Sequence, residues 1–341
     1  MKHPTRPAAV PILAAAIALI SGCATLDVGT GSERFGVRPV GETPYERLDW
    51  AEGALRKTPN EPGLYLVRAE ESLRLAQTES DPSERQPWYA EMRLALDEFQ
   101  LIAEARRAAW HPQRDSLLGE AWDTETAPVR VAAAAGGFPE QVGPEHSRRL
   151  LAHLRNARVV SPDSLFACSR SAQLLYAQGN LLEAVILLEQ GLERTGGAPF
   201  DYMEKLAYLY AESGEWSGAL AIYGELTDRE AEGNEQAPLP GKEEWMRRKR
   251  VRSAHANTLM LAGQHSEALN VLRGLHRDFP QDDVIRHALV SELVYTLESE
   301  TARLEAGLEA PHASGGPADD SGRSSVERMR RTFGELEEVL G

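Results

Sequence analysis

Residues 172–188 read AQLLYAQGNLLEAVILL, and the same order of residue sizes returns in two later stretches. These are AYLYAESGEWSGALAIY at residues 207–223 and ANTLMLAGQHSEALNVL at residues 256–272. Each stretch has alanine at positions 1 and 13, a large residue at positions 4 and 17, and glycine at position 8. The copies begin 35 and 49 residues apart. The sequence therefore contains a repeated structural unit.

This pattern is typical of paired helices. Small residues let two neighbouring helices approach closely, and the glycine permits the left-handed backbone that ends the first of them. A single hairpin leaves one face uncovered, and stacking several hairpins buries that face. The longer second interval comes from a polar insertion at residues 228–242. We therefore predict an all-α fold built as a helical-hairpin repeat solenoid.

The copies resemble the tetratricopeptide repeat, a helix-turn-helix unit of 34 residues with small, large, glycine, small and large residues at these positions. In that family a proline follows the second helix. It is present in the third copy as Pro280, and in the first copy it is displaced to Pro199. Residues 150–162 match a second helix that lacks its first helix. We assign three repeats and half of a fourth to residues 144–281.

The resemblance also implies a binding surface, because ligands of this family lie in the concave groove that the first helices form. Asn257 matches an asparagine that some members use to hold a peptide backbone, whereas the lysines that clamp a terminal carboxylate are absent. The implied ligand is a peptide segment of a partner protein. The groove positions carried over are Phe166, Ser169, Gln173, Tyr176, Asp201, Glu204, Tyr208, Glu212, Arg250, Ser253, Asn257 and Met260.

The N-terminus has the layout of an export signal at residues 1–22. Lys2 and Arg6 precede an apolar run at residues 8–20. This run is too short to remain as an anchor, because a membrane-spanning helix needs about 20 apolar residues. The run ends in ISGC, which resembles the lipobox of bacterial lipoproteins. The alternative is an ordinary secretory signal that happens to be cut near Cys23.

The lipobox resemblance implies a covalent lipid on Cys23. In that family the cysteine becomes the new N-terminus and carries diacylglycerol and an N-acyl chain, and two or more chains give stable membrane attachment. An aspartate after the cysteine retains Gram-negative lipoproteins in the inner membrane, whereas this chain has Ala24. The expected location is the outer membrane, with the protein facing the periplasm.

The formal charge of −15 becomes −17 after loss of residues 1–22, which hold two basic residues and no acidic ones. Such a charge opposes binding to nucleic acid. If Cys23 is acylated, Cys168 has no partner within the chain for a disulfide. The repeat register instead places Cys168 on an inward-facing position, which indicates a buried core thiol.

The remaining segments are assigned from composition and periodicity. In the helical region before the repeats, the stripe formed by Trp88, Met92, Ala95, Phe99 and Ile102 indicates core packing. The segments are a flexible tether at 23–43, a helical region with candidate degenerate repeats at 44–143, a capping helix at 282–306, a disordered linker at 307–324 and an amphipathic helix at 325–341.

The last helix carries its apolar residues at steps of three and four, with Ser324 or Ser325 as the expected N-cap. Three roles fit this pattern: docking back on the repeats, pairing with another subunit, or binding a partner. The stripe consists of Val326, Met329, Phe333, Leu336 and Leu340. The sequence sets no oligomeric state.

No motif for chemistry stands out. The nine histidines form no short-spaced ligand cluster, and no nucleophile or phosphate-binding motif occurs. We predict no catalytic residue, no metal site, no cofactor other than the covalent lipid, and no enzymatic activity.

A cluster of basic residues precedes the third repeat. One interpretation is a solvated helix face that pairs with nearby acids such as Glu243 and Glu244. The other is a docking patch for an acidic partner or for the phosphates of an envelope polymer. The cluster consists of Lys242, Arg247, Arg248, Lys249, Arg250 and Arg252.

These features lead to one hypothesis and two alternatives. The hypothesis is a lipid-anchored periplasmic scaffold that recruits other envelope proteins in cell-envelope assembly or maintenance. The first alternative is a module that binds peptidoglycan or lipopolysaccharide through the basic cluster. The second is an enzyme with an unrecognised site in residues 44–143.

Overall fold

The computed structural model describes Phe35 and the ranges 37–136, 138–139, 141–197, 199–234, 241–309 and 319–340. The export signal, Cys23 and residues 310–318 of the expected linker lie outside these residues. Helices and short turns make up the described chain, which contains no strand within those ranges. The chain divides into two compact units, with unit 1 ending at Glu125 and unit 2 beginning at Thr126.

Unit 1 is a set of helices that pack on their sequence neighbours, α1 on α2 and α2 on α3. Thr43 begins α1 with a reciprocal cap, since its hydroxyl accepts from the Glu46 amide and the Glu46 carboxylate accepts from the Thr43 amide. The helices are α1 (Pro44–Leu55), α2 (Pro62–Thr78), α3 (Gln86–Gln100), the single turn α4 (Glu104–Arg107) and α5 (His111–Ala134), which contains the unit boundary.

The core of unit 1 includes the predicted stripe on α3. Met92, Ala95 and Phe99 are fully buried, which confirms the helical spacing. Trp88 is only half-buried, and the neighbouring Tyr89 occupies the core instead. Trp88 meets Tyr45 edge-to-face, with ring centroids 5.5 Å apart.

Unit 1 also buries carboxylates, among them Glu71 and Glu125, which are 2% and 0% exposed. Arg47 Nη2 lies 2.9 Å from Glu71 Oε2, and Arg85 Nη1 lies 3.1 Å from Glu125 Oε1. The Tyr89 hydroxyl donates to Glu125 at 2.8 Å, and burial is the main cause that raises the pKa of Tyr89. Paired charges therefore form part of this core.

The structure differs from the predicted tether at Phe35, which is fully buried. A Cβ atom at Gly63 would lie 2.4 Å from the Phe35 carbonyl oxygen, so the backbone of Phe35 crosses closely over the start of α2. Phe35 is thus one residue of the predicted tether that packs at the start of α2, and residues 23–34 of that segment lie outside the described part.

Unit 2 is a solenoid of helical hairpins in which each helix packs on its sequence neighbours. The three repeats are α7 with α8, α9 with α10, and α11 with α12, and the half repeat is α6. The helices are α6 (Pro144–Val160), α7 (Leu165–Ala177), α8 (Leu181–Thr195), α9 (Phe200–Glu212), α10 (Trp216–Asn234), α11 (Lys242–Leu261), α12 (His265–Asp278), α13 (Asp283–Glu309) and α14 (Asp319–Leu340).

The small positions of the repeats are where helices meet. All six alanines are at most 2% exposed, as their role in close helix packing requires. They are Ala172, Ala184, Ala207, Ala219, Ala256 and Ala268. Cys168 is likewise buried, and burial raises the pKa of its thiol.

The glycine positions end the first helix of each repeat in the same way. Gly179, Gly214 and Gly263 have φ angles of 82°, 81° and 75°, in the left-handed region. The residue after each glycine donates its amide to a carbonyl five positions earlier, at 2.8–2.9 Å. This bond is that of a Schellman turn, and it confirms the predicted use of glycine.

The first two repeats are joined by a buried hydrogen bond between α8 and α9. The Tyr202 hydroxyl donates to the Leu188 carbonyl at 2.9 Å. A Cβ at Gly191 would lie 2.1 Å from that hydroxyl, so Gly191 makes room for the tyrosine.

The helices after the repeats have other bounds than predicted. α13 runs three residues beyond 306, and α14 begins at Asp319 rather than after Ser324. Ser325 is therefore a buried residue inside the helix and not its cap. Residues 310–318 of the expected linker lie outside the described part.

Of the three roles considered for the last helix, docking back on the repeats is the one observed. Arg328 Nη2 pairs with Glu300 on α13 at 3.2 Å, and Arg273 on α12 pairs with Glu335 at 2.6 Å. Leu336 packs against the core beneath α12 and α13. Part of the predicted stripe nevertheless faces outward, namely Val326, Phe333 and Leu340.

No helix in the described ranges is both long and apolar enough to cross a membrane.

Candidate functional site

Two tyrosines from successive first helices meet on the surface of unit 2. The hydroxyl oxygens of Tyr176 on α7 and Tyr208 on α9 lie 2.9 Å apart. Their rings pack edge-to-face, with centroids 5.8 Å apart. Tyr176 also donates to Glu212 Oε2 at 3.3 Å. The hydrogen bond with Tyr176 is the main cause that raises the pKa of Tyr208.

A cleft of about 180 Å³ lies beside this tyrosine pair. Its polar lining comes from Ser169, Gln173 and Tyr176 on α7 and from Lys205 and Tyr208 on α9. The remaining lining is apolar and comes from Pro139, Ala172, Leu188 and Leu209.

Lys205 is a cation held inside the cleft. Its ammonium donates to Ser169 Oγ at 2.8 Å. Burial is the main cause that lowers its pKa, and Arg170 nearby lowers it further. Arg170 in turn donates to Gln173 Oε1 at 3.0 Å, which orients that amide. The cleft thus offers hydroxyl, amide and ammonium donors around an apolar floor.

The structure brings together only some of the groove positions carried over from the repeat family. Ser169, Gln173, Tyr176 and Tyr208 line the cleft, and Glu212 is bonded to its rim. Phe166 stands to the side, under the Arg170 guanidinium at 5.7 Å.

The positions nearer the third repeat are arranged differently. Glu204 is paired with Arg250, whose Nη2 donates to its Oε2 at 2.6 Å, which links α9 to α11. Met260 packs against the core of the last repeat. Asp201 and Asn257 are exposed and Ser253 is half-buried, and none of the three lines the cleft.

Lys205 is the cleft residue that the sequence analysis missed. It lies three residues before Tyr208 on α9, on the same side of the helix. Position 205 is not among the groove positions carried over from the repeat family. Its only signal in the sequence was a single lysine in a first helix otherwise rich in acidic and aromatic residues.

The basic cluster does not form one exposed patch. Arg248 pairs with Glu244 at 2.6 Å, as the interpretation of a solvated face expects. Lys249 pairs with Asp282, and Arg252 pairs with Asp278.

The other members of the cluster point elsewhere. The Arg247 guanidinium lies 4.5 Å from the centre of the Phe200 ring, and Arg250 is held by Glu204. Lys242 is exposed at the start of α11. Four of the six cations, Arg248, Lys249, Arg250 and Arg252, are thus paired with carboxylates of the same chain, and the docking patch stays a prediction.

No group of three or more His, Cys, Asp or Glu residues in the described chain is placed to hold a metal ion.

No protein-family model matches this chain, and no curated protein matches its sequence. Among solved structures it is similar to a tetratricopeptide repeat protein from Parabacteroides merdae, with 14% identity over 80% of this chain and 93% of that chain and a TM-score of 0.36. It is also similar to the human IFIT1 dimer with PPP-AAAA, with 14% identity over 87% of this chain and 68% of that chain and a TM-score of 0.39.

Yeast Tom70 is a further similar structure, with 12% identity over 86% of this chain and a TM-score of 0.34. This chain covers 59% of that protein, less than two thirds of its length.

Proposed function

We propose that this protein is a lipid-anchored scaffold of the bacterial cell envelope that holds a peptide segment of a partner protein in the cleft between α7 and α9. The observation that carries this proposal is the cleft itself. The Tyr176 and Tyr208 hydroxyls, the Gln173 amide and the Lys205 ammonium converge there over an apolar floor.

This lining suits a peptide better than an isolated small ion or a polymer of charged groups. Tyrosine offers a large contact area with little loss of side-chain entropy, and it is enriched among residues that dominate protein interfaces. The Gln173 amide and the Lys205 ammonium can donate to the carbonyl groups of a peptide backbone, and the tyrosine hydroxyl oxygens can accept from its amides. The apolar floor of Leu188 and Leu209 takes an apolar side chain.

The cellular location in this proposal comes from the N-terminal sequence. The basic start, the apolar run at 8–20 and the cysteine at 23 are in the order of a lipoprotein signal. Ala24 after the cysteine supports the outer membrane rather than the inner membrane. The acyl chains on Cys23 would hold the repeats at the periplasmic surface of that membrane.

The binding part is tested by copurification from detergent-solubilised envelope of a Gram-negative host. Tyr208→Ala is compared with wild type and with Tyr295→Ala, a control on α13 whose side chain is similarly exposed at 47% against 44%. Loss of a tyrosine at the centre of an interface costs about 2 kcal/mol of binding free energy. The Tyr208→Ala variant should therefore copurify about a tenth of the partner that wild type does, or less. Equal capture by all three chains, or binding only to isolated cell-wall polymer, would contradict the proposal.

The anchor is tested separately with Cys23→Ala. The wild type should stay with the membrane pellet through a high-salt wash, and mass spectrometry should find the acyl mass on its N-terminal peptide. The variant should move to the soluble fraction. A variant that stays membrane-bound after the wash would refute the anchor and leave the cleft proposal standing.

A further inference from the structure

A second pocket opens between α6, α7 and α8, away from the tyrosine cleft. Its volume is about 290 Å³. Leu151, Leu175, Ile186 and Leu187 give it an apolar wall, and Ile186 is 40% exposed to solvent. The pocket uses Ser171 and Leu175 of α7, whereas the tyrosine cleft uses Ser169, Gln173 and Tyr176 of the same helix.

Two arginines and a buried serine supply its polar lining. Arg155 and Arg158 both come from α6 and lie within reach of the same space. Arg158 Nε is buried and has no hydrogen-bond partner in the described chain. Ser171 Oγ is also buried without a partner there, and the residue is only 2% exposed.

No carboxylate of the described chain neutralises these arginines at ion-pair distance. The ionisable neighbours that act on Arg158 are the Cys168 thiol, Arg155 and Arg194, none of them a carboxylate, and burial is the main cause that lowers the pKa of Arg158. A half-buried cation without an acidic partner is costly, as is a buried hydroxyl without a hydrogen bond. The same groups become favourable if an anion occupies the pocket, because charge-assisted hydrogen bonds are among the strongest in proteins.

We infer that this pocket binds an acidic side chain, flanked by an apolar residue, of a partner protein segment. The Arg155 and Arg158 guanidinium groups and the Ser171 hydroxyl receive the carboxylate. The wall of Leu151, Leu175, Ile186 and Leu187 receives the apolar neighbour. The two parts of the lining thus match the two parts of one short peptide motif.

The pocket favours a carboxylate over a phosphate group. Glu183 also lines the pocket, with an exposed side chain, and adds a negative charge to its lining. A group with nearly two charges is repelled by Glu183 more strongly than a carboxylate with one. The apolar wall adds to the difference, since a phosphate has no apolar part to bury.

This inference goes beyond the tyrosine cleft and does not depend on it. The two pockets use different residues, so one partner could engage both with two motifs, or two partners could bind together. If Tyr208→Ala copurifies as much partner as wild type, the cleft proposal fails and the inference about the arginine pocket is unaffected. If the arginine pocket binds no acidic peptide, the cleft proposal is unaffected.

The test titrates the full chain, labelled with ¹⁵N-arginine, and follows the Nε–H signal of Arg158 by NMR. The probes are the blocked tripeptide acetyl-Leu-Glu-Leu-amide, its neutral analogue acetyl-Leu-Gln-Leu-amide, and inorganic phosphate. The variants are Arg158→Gln, Ser171→Ala and the control Arg149→Gln, which removes an exposed arginine from the same helix.

The glutamate peptide should shift the Arg158 signal and bind at least tenfold more tightly than the glutamine peptide or phosphate. Arg158→Gln should abolish this binding, Ser171→Ala should weaken it several-fold, and Arg149→Gln should leave it unchanged. Because Arg158 has no acidic partner, Arg158→Gln should also keep or raise the melting temperature.

Three results would overturn the inference. The first is binding of the two peptides with equal affinity, which would make the charge irrelevant. The second is binding of phosphate as tightly as the glutamate peptide, or binding of no probe at all. The third is a clear loss of thermal stability in Arg158→Gln, which would make the arginine a structural residue.

Discussion

The repeats of unit 2 and the helices of unit 1 are both all-α, but different interactions hold them together. In the repeats, helices pack against each other at alanines, and the chain turns at a glycine between the two helices of each repeat. The first hairpins share an apolar core. In unit 1, buried carboxylates such as Glu71 and Glu125 accept ion pairs from arginines on other elements. Repeat packing depends on the absence of side-chain atoms at fixed places, whereas unit 1 depends on the presence of particular charged partners.

The largest expected effect lies in unit 1, at Glu125. Replacing it with alanine leaves Arg85 and the Tyr89 hydroxyl without their partner, and breaking a buried pair in this way costs about 3–5 kcal/mol. Urea unfolding followed by circular dichroism measures the loss. The control is Asp97→Ala, which removes an exposed partner of Arg93 and should cost less than about 1 kcal/mol. Equal losses in the two variants would remove the distinction drawn for unit 1.

The next effect lies in the repeats, at Gly191. An added methyl group would lie 2.1 Å from the Tyr202 hydroxyl, so Gly191→Ala must displace the hydrogen bond between α8 and α9. Overpacking of this kind costs about 1–3 kcal/mol. The matched control is Gly224→Ala, a helical glycine with open space around its Cβ position. That change should instead stabilise the protein by about 0.5–1 kcal/mol. Loss of stability in both variants, or in neither, would contradict the packing described here.

The smallest effect concerns the C-terminal helix, which combines both kinds of contact. The hydrogen bond from Arg328 is the main cause that lowers the pKa of Glu300 below its usual 4.5. A lowered folded-state pKa means that the pair stabilises docking above pH 4.5 and loses this contribution as the pH falls through the folded-state value. Glu300 is buried, but the Arg328 side chain is 51% exposed and solvent screens the pair. We therefore expect it to contribute only about 0.2–1 kcal/mol, so α14 should loosen slightly while the repeats remain folded.

Hydrogen exchange of α14 amides measures this loosening between pH 6 and pH 3, after correction for the intrinsic rate. Glu300→Gln should show weaker protection already at pH 6 and a smaller change with pH. If wild type and variant change in parallel, the Glu300 pair does not hold the helix.

The repeats could be predicted from sequence because their requirements are steric and local. Only a small residue fits where helices touch, and glycine is the residue best suited to the left-handed turn, so Ala184 and Gly179 mark the pattern in any copy. Unit 1 has no such marks. Glu71 is charged and buried in the middle of α2, and periodicity assigns a charged residue to the solvent side. Its burial depends on Arg47, 24 residues earlier in the chain.

The candidate site was predictable to the extent that it follows helix register. Ser169, Gln173, Tyr176 and Tyr208 lie together, as first-helix positions should. Other groove positions lie elsewhere because contacts with residues distant in the sequence determine where their side chains pack. Met260 is taken up by the core of the last repeat, and Arg250 is bound to Glu204. The arginine pocket left no sequence signal, since it depends on which side chains lack a partner in three dimensions.

The most direct test of the account places p-benzoylphenylalanine, a photoreactive amino acid that keeps an aromatic ring at the position, at 208 in the tyrosine cleft and, as a control, at position 284, where Val284 is 76% exposed on α13. Both chains are expressed in a Gram-negative host, illuminated in intact cells and analysed by mass spectrometry. The account predicts one specific protein adduct at position 208, reduced by Lys205→Met in the same chain, and no comparable adduct at position 284. The same adducts at both positions, or none at 208, would contradict it.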